Sequence, residues 1–176
     1  MALQFTPEGE QKFQEITSRY PNTLAALQPV LLLAQSEFGW VSVEVMDYVA
    51  ERLDLHPTKV LTTATFYSMY NKQPVGKCHV QVCTTLSCAF RGGYDLLDNL
   101  EKRWDITTGE TNKDGTFSIA EVECLASCGT PAMLQVTYAD GEMEYFENLN
   151  DQAAIDEAVA KMEARAQTLK RPKDMH

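Results

Sequence analysis

The chain has 176 residues, 44% of them hydrophobic and 23% charged, with a formal net charge of −10 at pH 7. That length fits one domain with an appendage or two small domains, and it does not require disulfides for folding. The acidic balance argues against nucleic-acid or anionic-membrane binding, and no stretch reaches the ~20 apolar residues of a membrane span. The N-terminus shows neither a signal nor a transit pattern, so we expect a cytoplasmic location without direct membrane insertion.

The first part of the chain shows helical periodicity. Four helices are predicted there. The first begins at Thr6-Pro7 and stops before Pro21, and the second runs from Asn22 or Thr23 to Gly39 with a kink at Pro29. The third begins at Ser42, and the fourth begins at His56-Pro57 and continues into VLTTATFYSMY, after which Pro74 closes the bundle. Small polar N-caps, proline at the first helical position and glycine at the end are typical helix punctuation. We therefore expect a helical domain over residues 1–74.

From residue 75 the pattern changes to alternating, valine-rich segments. The predicted elements are a strand Gly76–Cys83, a helix over 91–103, a strand Phe117–Glu123, a hairpin of Met133–Tyr138 and Met143–Phe146 around Asp140-Gly141, and a helix Asn150–Ala166. Strands with helices packed on them make a small α/β layer over residues 75–166. Residues 167–176 are expected to be a flexible tail.

Five cysteines lie in this second part, and four of them form two closely spaced pairs. Cys83 and Cys88 make a C-x4-C pattern, and Cys124 and Cys128 make a C-x3-C pattern. Each pair follows a predicted strand, so the two loops can converge at one edge of a sheet. Cys78 shares strand parity with the valines of its strand and is predicted to be a core thiol.

Four clustered thiols are compatible with three kinds of site. Structural zinc takes four cysteines at spacings of two to four residues, and a [2Fe–2S] cluster is also held by four cysteines. A thioredoxin-like dithiol oxidoreductase usually has C-x-x-C, which makes it the weakest match. Colour, metal content and a reversible disulfide distinguish the three.

The stretch ATFYSMYNKQPVGKCHVQVCTTLSCAFRGG, together with VECLASCGTPAMLQV, closely resembles the thioredoxin-like [2Fe–2S] ferredoxin, or E-type, component of bacterial NADH–quinone oxidoreductase (complex I). The family also occurs in NAD-linked hydrogenases and formate dehydrogenases, and the similarity runs over roughly residues 5–165. The resemblance implies the fold class α+β/α: an N-terminal helical bundle followed by a thioredoxin-like α/β domain. It further implies one [2Fe–2S] cluster, with Cys83 and Cys88 on one iron and Cys124 and Cys128 on the other.

The same resemblance implies a function and partners. The chain would be an electron-transfer subunit that accepts single electrons from the flavin of a partner subunit, which also binds NADH. The complex would hold it at the inner membrane as a peripheral subunit. No dinucleotide or phosphate loop is visible, and no catalytic side chain is expected on this chain. The resemblance leaves the host complex open among complex I, a hydrogenase and a formate dehydrogenase.

Three further expectations concern the surroundings of the site. Ala126 stands where relatives often have glycine, at a cost of about 1 kcal/mol if the backbone has a positive φ there. Backbone N–H groups of the 84–88 and 125–130 loops and of Gly92-Gly93 are candidate donors to the sulfurs. The stripe Phe66, Tyr67, Met69 and Tyr70 either packs in a core or forms an interface with the flavin-bearing subunit.

Overall fold

The computed structural model describes residues 3–170, which form two compact units, one ending at Pro74 and the other beginning at Val75. The elements are, in chain order, α1 (Pro7–Ser18), α2 (Leu27–Phe38), α3 (Val43–Leu53), α4 (Pro57–Phe66), β1 (Cys78–Cys83), α5 (Leu86–Phe90), α6 (Gly93–Trp104), β2 (Phe117–Val122), β3 (Leu134–Tyr138), β4 (Met143–Phe146) and α7 (Gln152–Thr168). Within residues 3–170, every helix falls short of the length and apolarity that crossing a membrane requires.

The first unit consists of four helices around one apolar core. The caps are those expected from the sequence: the Thr6 hydroxyl accepts the Gly9 N–H at 3.0 Å, and the Ser42 hydroxyl accepts the Val45 N–H at 3.2 Å. Val30, Val49 and Val60, from three different helices, are fully buried in this core. Burial of such side chains stabilises the unit by about 1.5–3 kcal/mol each.

Two helix boundaries differ from the prediction. α2 begins at Leu27, because residues 22–26 form turns in which the Asn22 carboxamide accepts the Ala25 N–H at 2.9 Å. Pro29 therefore lies in the first turn of α2, where a missing N–H costs little, and is not a mid-helix kink. α4 ends at Phe66, and the buried Tyr70 beyond it donates its hydroxyl to the Gln28 carbonyl at 3.0 Å.

The second unit contains a mixed four-stranded sheet in the order β2-β1-β3-β4. β1 pairs in parallel with β2 and antiparallel with β3, and β3 pairs antiparallel with β4. Buried residues of α6 and α7 share a core with the strand face that carries Cys78, Val80 and Val82. The parity prediction for Cys78 is confirmed: it is fully buried, and burial raises the pKa of its thiol to about 12.

The sequence missed one element and misplaced the end of another. The short helix α5 occupies a segment that was predicted to be a loop, so Cys88 lies on a helix. The final helix begins at Gln152, with Asp151 as its cap, and runs to Thr168. Residues 167 and 168 of the predicted flexible tail are therefore helical, and residues 171–176 lie outside the described residues.

Candidate metal centre

The two cysteine loops leave the same edge of the sheet. Cys83 is the last residue of β1 and lies beside Val122, the last residue of β2. Because these strands are parallel, their carboxyl ends lie side by side, and the Thr84 N–H donates to the Val122 carbonyl at 3.4 Å. Cys124 lies two residues after Val122, at the start of the second cysteine loop. The predicted convergence of the loops thus follows from the parallel pairing of β1 with β2.

The first pair is buried. Cys83 and Cys88 each retain only 2% of their accessible surface and form a cluster with Met133. Leu125 packs against this cluster. Gly93, the first residue of α6, fixes this packing, since a Cβ there would lie 2.8 Å from the Cys83 carbonyl oxygen and 2.9 Å from that of Cys88. A real Cβ cannot approach backbone that closely, so only glycine lets α6 begin against both cysteines.

The second pair is exposed at the surface. The Sγ atoms of Cys124 and Cys128 are 3.3 Å apart, and the Ala126 N–H donates to Cys124 Sγ at 3.3 Å. Ala126 adopts φ +65°, in the left-handed region that favours glycine. The positive φ suspected at this position is therefore present, and alanine tolerates it at a cost of about 1–2 kcal/mol.

Polar groups of each loop act on thiols of the other. The Leu125 N–H, from the second loop, favours the ionised form of the Cys83 thiol in the first loop. In the opposite direction, the Thr85 and Ser87 side chains favour the ionised forms of Cys124 and Cys128. The two cysteine pairs therefore share polar neighbours from both loops.

In each cysteine pair, the pKa of one thiol is lowered and that of the other is raised. Burial opposes ionisation of Cys83, but hydrogen bonds from the Thr85 hydroxyl and N–H, from Cys88 and from Leu125 lower its pKa overall. Burial and the neighbouring Cys83 raise the pKa of Cys88 to about 11. The Ala126 N–H, and then Cys128, lower the pKa of Cys124, and the bond to Cys124 raises that of Cys128. Cys83 and Cys124 therefore lose their protons more readily than their pair partners, and the thiolate is the form that binds metals.

Glu147 holds the second loop in place. Its carboxylate accepts hydrogen bonds from the Ser127 hydroxyl and, at 2.6 Å, from the Thr130 hydroxyl, and these bonds lower its pKa in that order. Glu142 and Glu144 are likewise exposed but have other partners. Glu142 pairs with Arg165, and Glu144 accepts the Tyr138 hydroxyl at 2.9 Å. Only the folded chain brings Glu147 beside residues 127 and 130, so sequence spacing gave no sign of it.

The donor set has the chemistry that an iron–sulfur centre requires. Over residues 3–170, no group of three or more His, Cys, Asp or Glu side chains is placed to hold one metal ion. Four soft sulfurs in two closely spaced pairs, with N–H and hydroxyl donors beside them, are the kind of ligand set that holds [2Fe–2S] clusters in proteins. Histidine ligation is not indicated, because His79 lies on the strand face opposite Cys78, and burial lowers its pKa to about 4.

The fold and the cysteine pattern define an iron–sulfur protein of the thioredoxin-like class. The family model of the thioredoxin-like [2Fe–2S] ferredoxins matches residues 13–163, and the chain belongs to that family.

Individual relatives support the same assignment. The chain is 38% identical over 141 residues to the E-type component of the NADH-quinone oxidoreductase of Rickettsia typhi, covering 78% of this chain and 80% of the relative. It is 40% identical over 134 residues to NADH-quinone oxidoreductase subunit 2 of Thermus thermophilus, covering 75% and 74% of the two chains. The resemblance drawn from the cysteine motifs is thereby confirmed.

The fold also resembles that of a solved structure, an NAD⁺-reducing [NiFe]-hydrogenase in the air-oxidised state, with a TM-score of 0.62 at 18% identity. The similarity covers 81% of this chain but only 23% of the hydrogenase chain, so it concerns the fold alone. The predicted thioredoxin-like fold is confirmed.

Proposed function

We propose that this chain is an electron-transfer subunit of an NADH–quinone oxidoreductase and that it holds one [2Fe–2S] cluster. Cys83 and Cys88 would bind one iron, and Cys124 and Cys128 the other. The observation that carries the proposal is the convergence of the two cysteine pairs from neighbouring parallel strand ends. When bound, such a cluster takes up and releases one electron at a time.

The chain's own residues would set the conditions for that electron transfer. Met133 and Leu125 pack on the buried pair and keep water from its sulfurs. Backbone N–H groups of Ala126 and Leu125 donate to sulfurs and favour the more negative, reduced state. The exposed pair leaves one side of the centre open to solvent. None of these roles needs a titrating catalytic side chain.

The proposed partner is the subunit that binds NADH and flavin. Apolar side chains flank the first cysteine loop: Leu86 and Phe90, one turn apart on α5, are 73% and 81% exposed, and Tyr94 is also exposed. Apolar groups of this size are unusual on a free surface and typical of interface centres. They lie on the loop that carries Cys83 and Cys88, where a redox partner must approach closely.

The helical unit presents a second apolar surface. Phe66 is 78% exposed, and Tyr67 and Met69 are exposed beside it, whereas Tyr70 is buried in the core. Of the two interpretations of this stripe, core packing applies to Tyr70 alone. We assign Phe66, Tyr67 and Met69 to an interface with another subunit, which would hold the chain in a complex at the cytoplasmic side of the inner membrane.

Complex I is the preferred host because the relatives of 37–40% identity carry the name NADH-quinone oxidoreductase. The hydrogenase similarity, at 18% identity, is one of fold only. Co-purification of the tagged chain from its native membranes tests this choice. Recovery with quinone-reducing activity supports it, and recovery with hydrogenase or formate dehydrogenase activity contradicts it.

The cofactor is tested on the purified full-length chain. We expect a red-brown protein that dithionite bleaches, with two irons and two acid-labile sulfides per chain and an EPR signal on reduction. A colourless protein with one zinc per chain would establish the structural-zinc alternative. A metal-free protein with a reversible disulfide would establish the dithiol alternative. Cys78→Ala is the control for substitutions of the paired cysteines and should keep the colour and iron content of the wild type, because this cysteine lies in the core away from the pairs.

The interface at α5 is tested by partner capture. Phe90→Ser should weaken recovery of the flavin-bearing subunit at least tenfold, since an exposed aromatic anchor contributes about 2 kcal/mol or more to an interface. Met143→Ser is the control, because Met143 is 65% exposed but belongs to β4. Equal losses for the two variants would contradict the placement of the interface.

A further inference from the structure

Thr85 is the N-cap residue of α5, but its hydroxyl does not cap the helix. Its backbone is extended, with φ −73° and ψ 170°, and its side chain accepts no N–H from the helix. Elsewhere in the chain, cap side chains in the same position do so: Thr6 for α1, Ser42 for α3 and Asp151 for α7. A threonine N-cap normally accepts the N–H of the second or third helical residue. The Thr85 hydroxyl is therefore free of that role.

The hydroxyl bonds to sulfur instead. Thr85 Oγ1 lies 3.1 Å from Cys83 Sγ, which is hydrogen-bond distance. The same side chain also favours the ionised form of the Cys124 thiol in the second loop. Cysteines that bind metal are thiolates, which have no proton to give, so in the loaded protein the hydroxyl must be the donor.

We propose that Thr85 is a positioning residue whose hydroxyl, donating to the sulfur of Cys83, raises the reduction potential of this centre. The inference rests on the proposed [2Fe–2S] function. Reduction by dithionite or a flavin adds one electron and moves no proton or bond in this step, so negative charge on the sulfurs increases. A hydrogen bond to a more negative acceptor is stronger, and the hydroxyl therefore stabilises the reduced state more than the oxidised one.

Thr85→Val tests the inference, because valine keeps the branched shape and the backbone N–H but has no hydroxyl. We expect reduction to become roughly tenfold less favourable, which for a one-electron couple lowers the midpoint potential by about 59 mV. Thr85→Ser keeps the donor and should stay near the wild-type potential. The measurement is an EPR-monitored redox titration of the loaded full-length chain.

Thr84→Val is the matched control. Thr84 is the adjacent residue, and its hydroxyl donates to Glu121 Oε1 at 2.6 Å and not to sulfur. Its loss should leave the potential unchanged. A potential that moves equally in Thr84→Val and Thr85→Val would overturn the inference, because it would report a general disturbance of the loop.

The outcomes separate this inference from the proposed function. If the wild-type chain holds no iron–sulfur centre, the proposed function fails. If the wild type is loaded and Thr85→Val titrates like it, only the role of Thr85 fails. Should Thr85→Val not hold iron, Thr85→Ala removes the same hydroxyl with less bulk. If both remain empty while Thr85→Ser loads, the hydroxyl is required for assembly, which also overturns a role in setting the potential.

Discussion

The two cysteine pairs follow neighbouring strands of one sheet, yet one pair is buried and the other lies at the surface. Cys83 and Cys88 follow β1, an interior strand, and are covered by Met133 and by the start of α6. Cys124 and Cys128 follow β2, an edge strand, and are exposed. The position of a strand in the sheet thus determines how its terminal loop is covered. The site consequently has one half buried against the core and one half exposed to solvent.

The largest effect on iron binding is expected from serine substitution of the cysteines in each half. Cys83→Ser and Cys88→Ser should abolish iron binding, because a buried site admits no water as a replacement ligand. Cys124→Ser and Cys128→Ser should retain part of the iron with an altered visible spectrum, since serine or solvent can reach an exposed metal. Iron content, labile sulfide and absorbance check this. Equal losses in all four variants would remove the functional distinction between the halves, and full iron with an unchanged spectrum in all four would contradict the ligand assignment.

The glycines beside each pair sharpen the comparison. Gly93→Ala places a Cβ against the carbonyl oxygens of Cys83 and Cys88 and should destabilise the protein by about 1–3 kcal/mol, with reduced iron content. Gly129→Ala is its partner experiment, because a Cβ at Gly129 meets no atom within 4 Å. We expect wild-type stability and iron there. Urea unfolding and iron analysis measure both, and a harmless Gly93→Ala would show that the buried half can relax.

Acid should lower the stability of the folded protein through His79, which lies on β1, the strand that ends at the buried pair. The pKa of His79 is lowered to about 4 by burial, against about 6.5 in the unfolded chain. The unfolded chain therefore binds the proton more readily, and stability is lost as pH falls from 6.5 towards 4. The loss is about 2 kcal/mol at pH 5 relative to pH 8.

His79→Gln should remove this part of the acid sensitivity. The difference between the urea midpoints at pH 8 and pH 5 should be smaller in the variant than in the wild type. The same pH dependence in both proteins would show that His79 is protonated in the folded chain as easily as in the unfolded one.

The smallest expected effect is in the exposed half. Ala126→Gly relieves the left-handed conformation at φ +65° but increases the freedom of the unfolded chain, for a net gain of roughly 0.5–1 kcal/mol. The Ala126 N–H that donates to Cys124 is retained in this variant. A small rise in thermal midpoint with an unchanged spectrum is expected. A loss of stability would mean that the alanine methyl group has a favourable contact.

The sequence indicated those features that depend on local periodicity and motif. Strand parity predicted the burial of Cys78, and the cap residues Thr6 and Ser42 marked their helices correctly. The short α5 has five residues and no helical repeat, so the pattern predicts a loop there. Glu147 acts on residues 127 and 130, which are distant from it in sequence, and Gly93 acts through a close approach of backbone that no periodicity marks. The position of Thr85 at the start of α5 predicts a helix cap, and only the folded geometry shows that its hydroxyl lies beside Cys83 Sγ.

The contact of Gly93 with both cysteine carbonyls has a consequence for protein engineering. The segment from Cys83 to Gly93 must be kept together, because the start of α6 packs directly on the backbone of the loop that precedes it. Transplanting the cysteines onto another scaffold without that helix start would carry over the ligands but lose their enclosure.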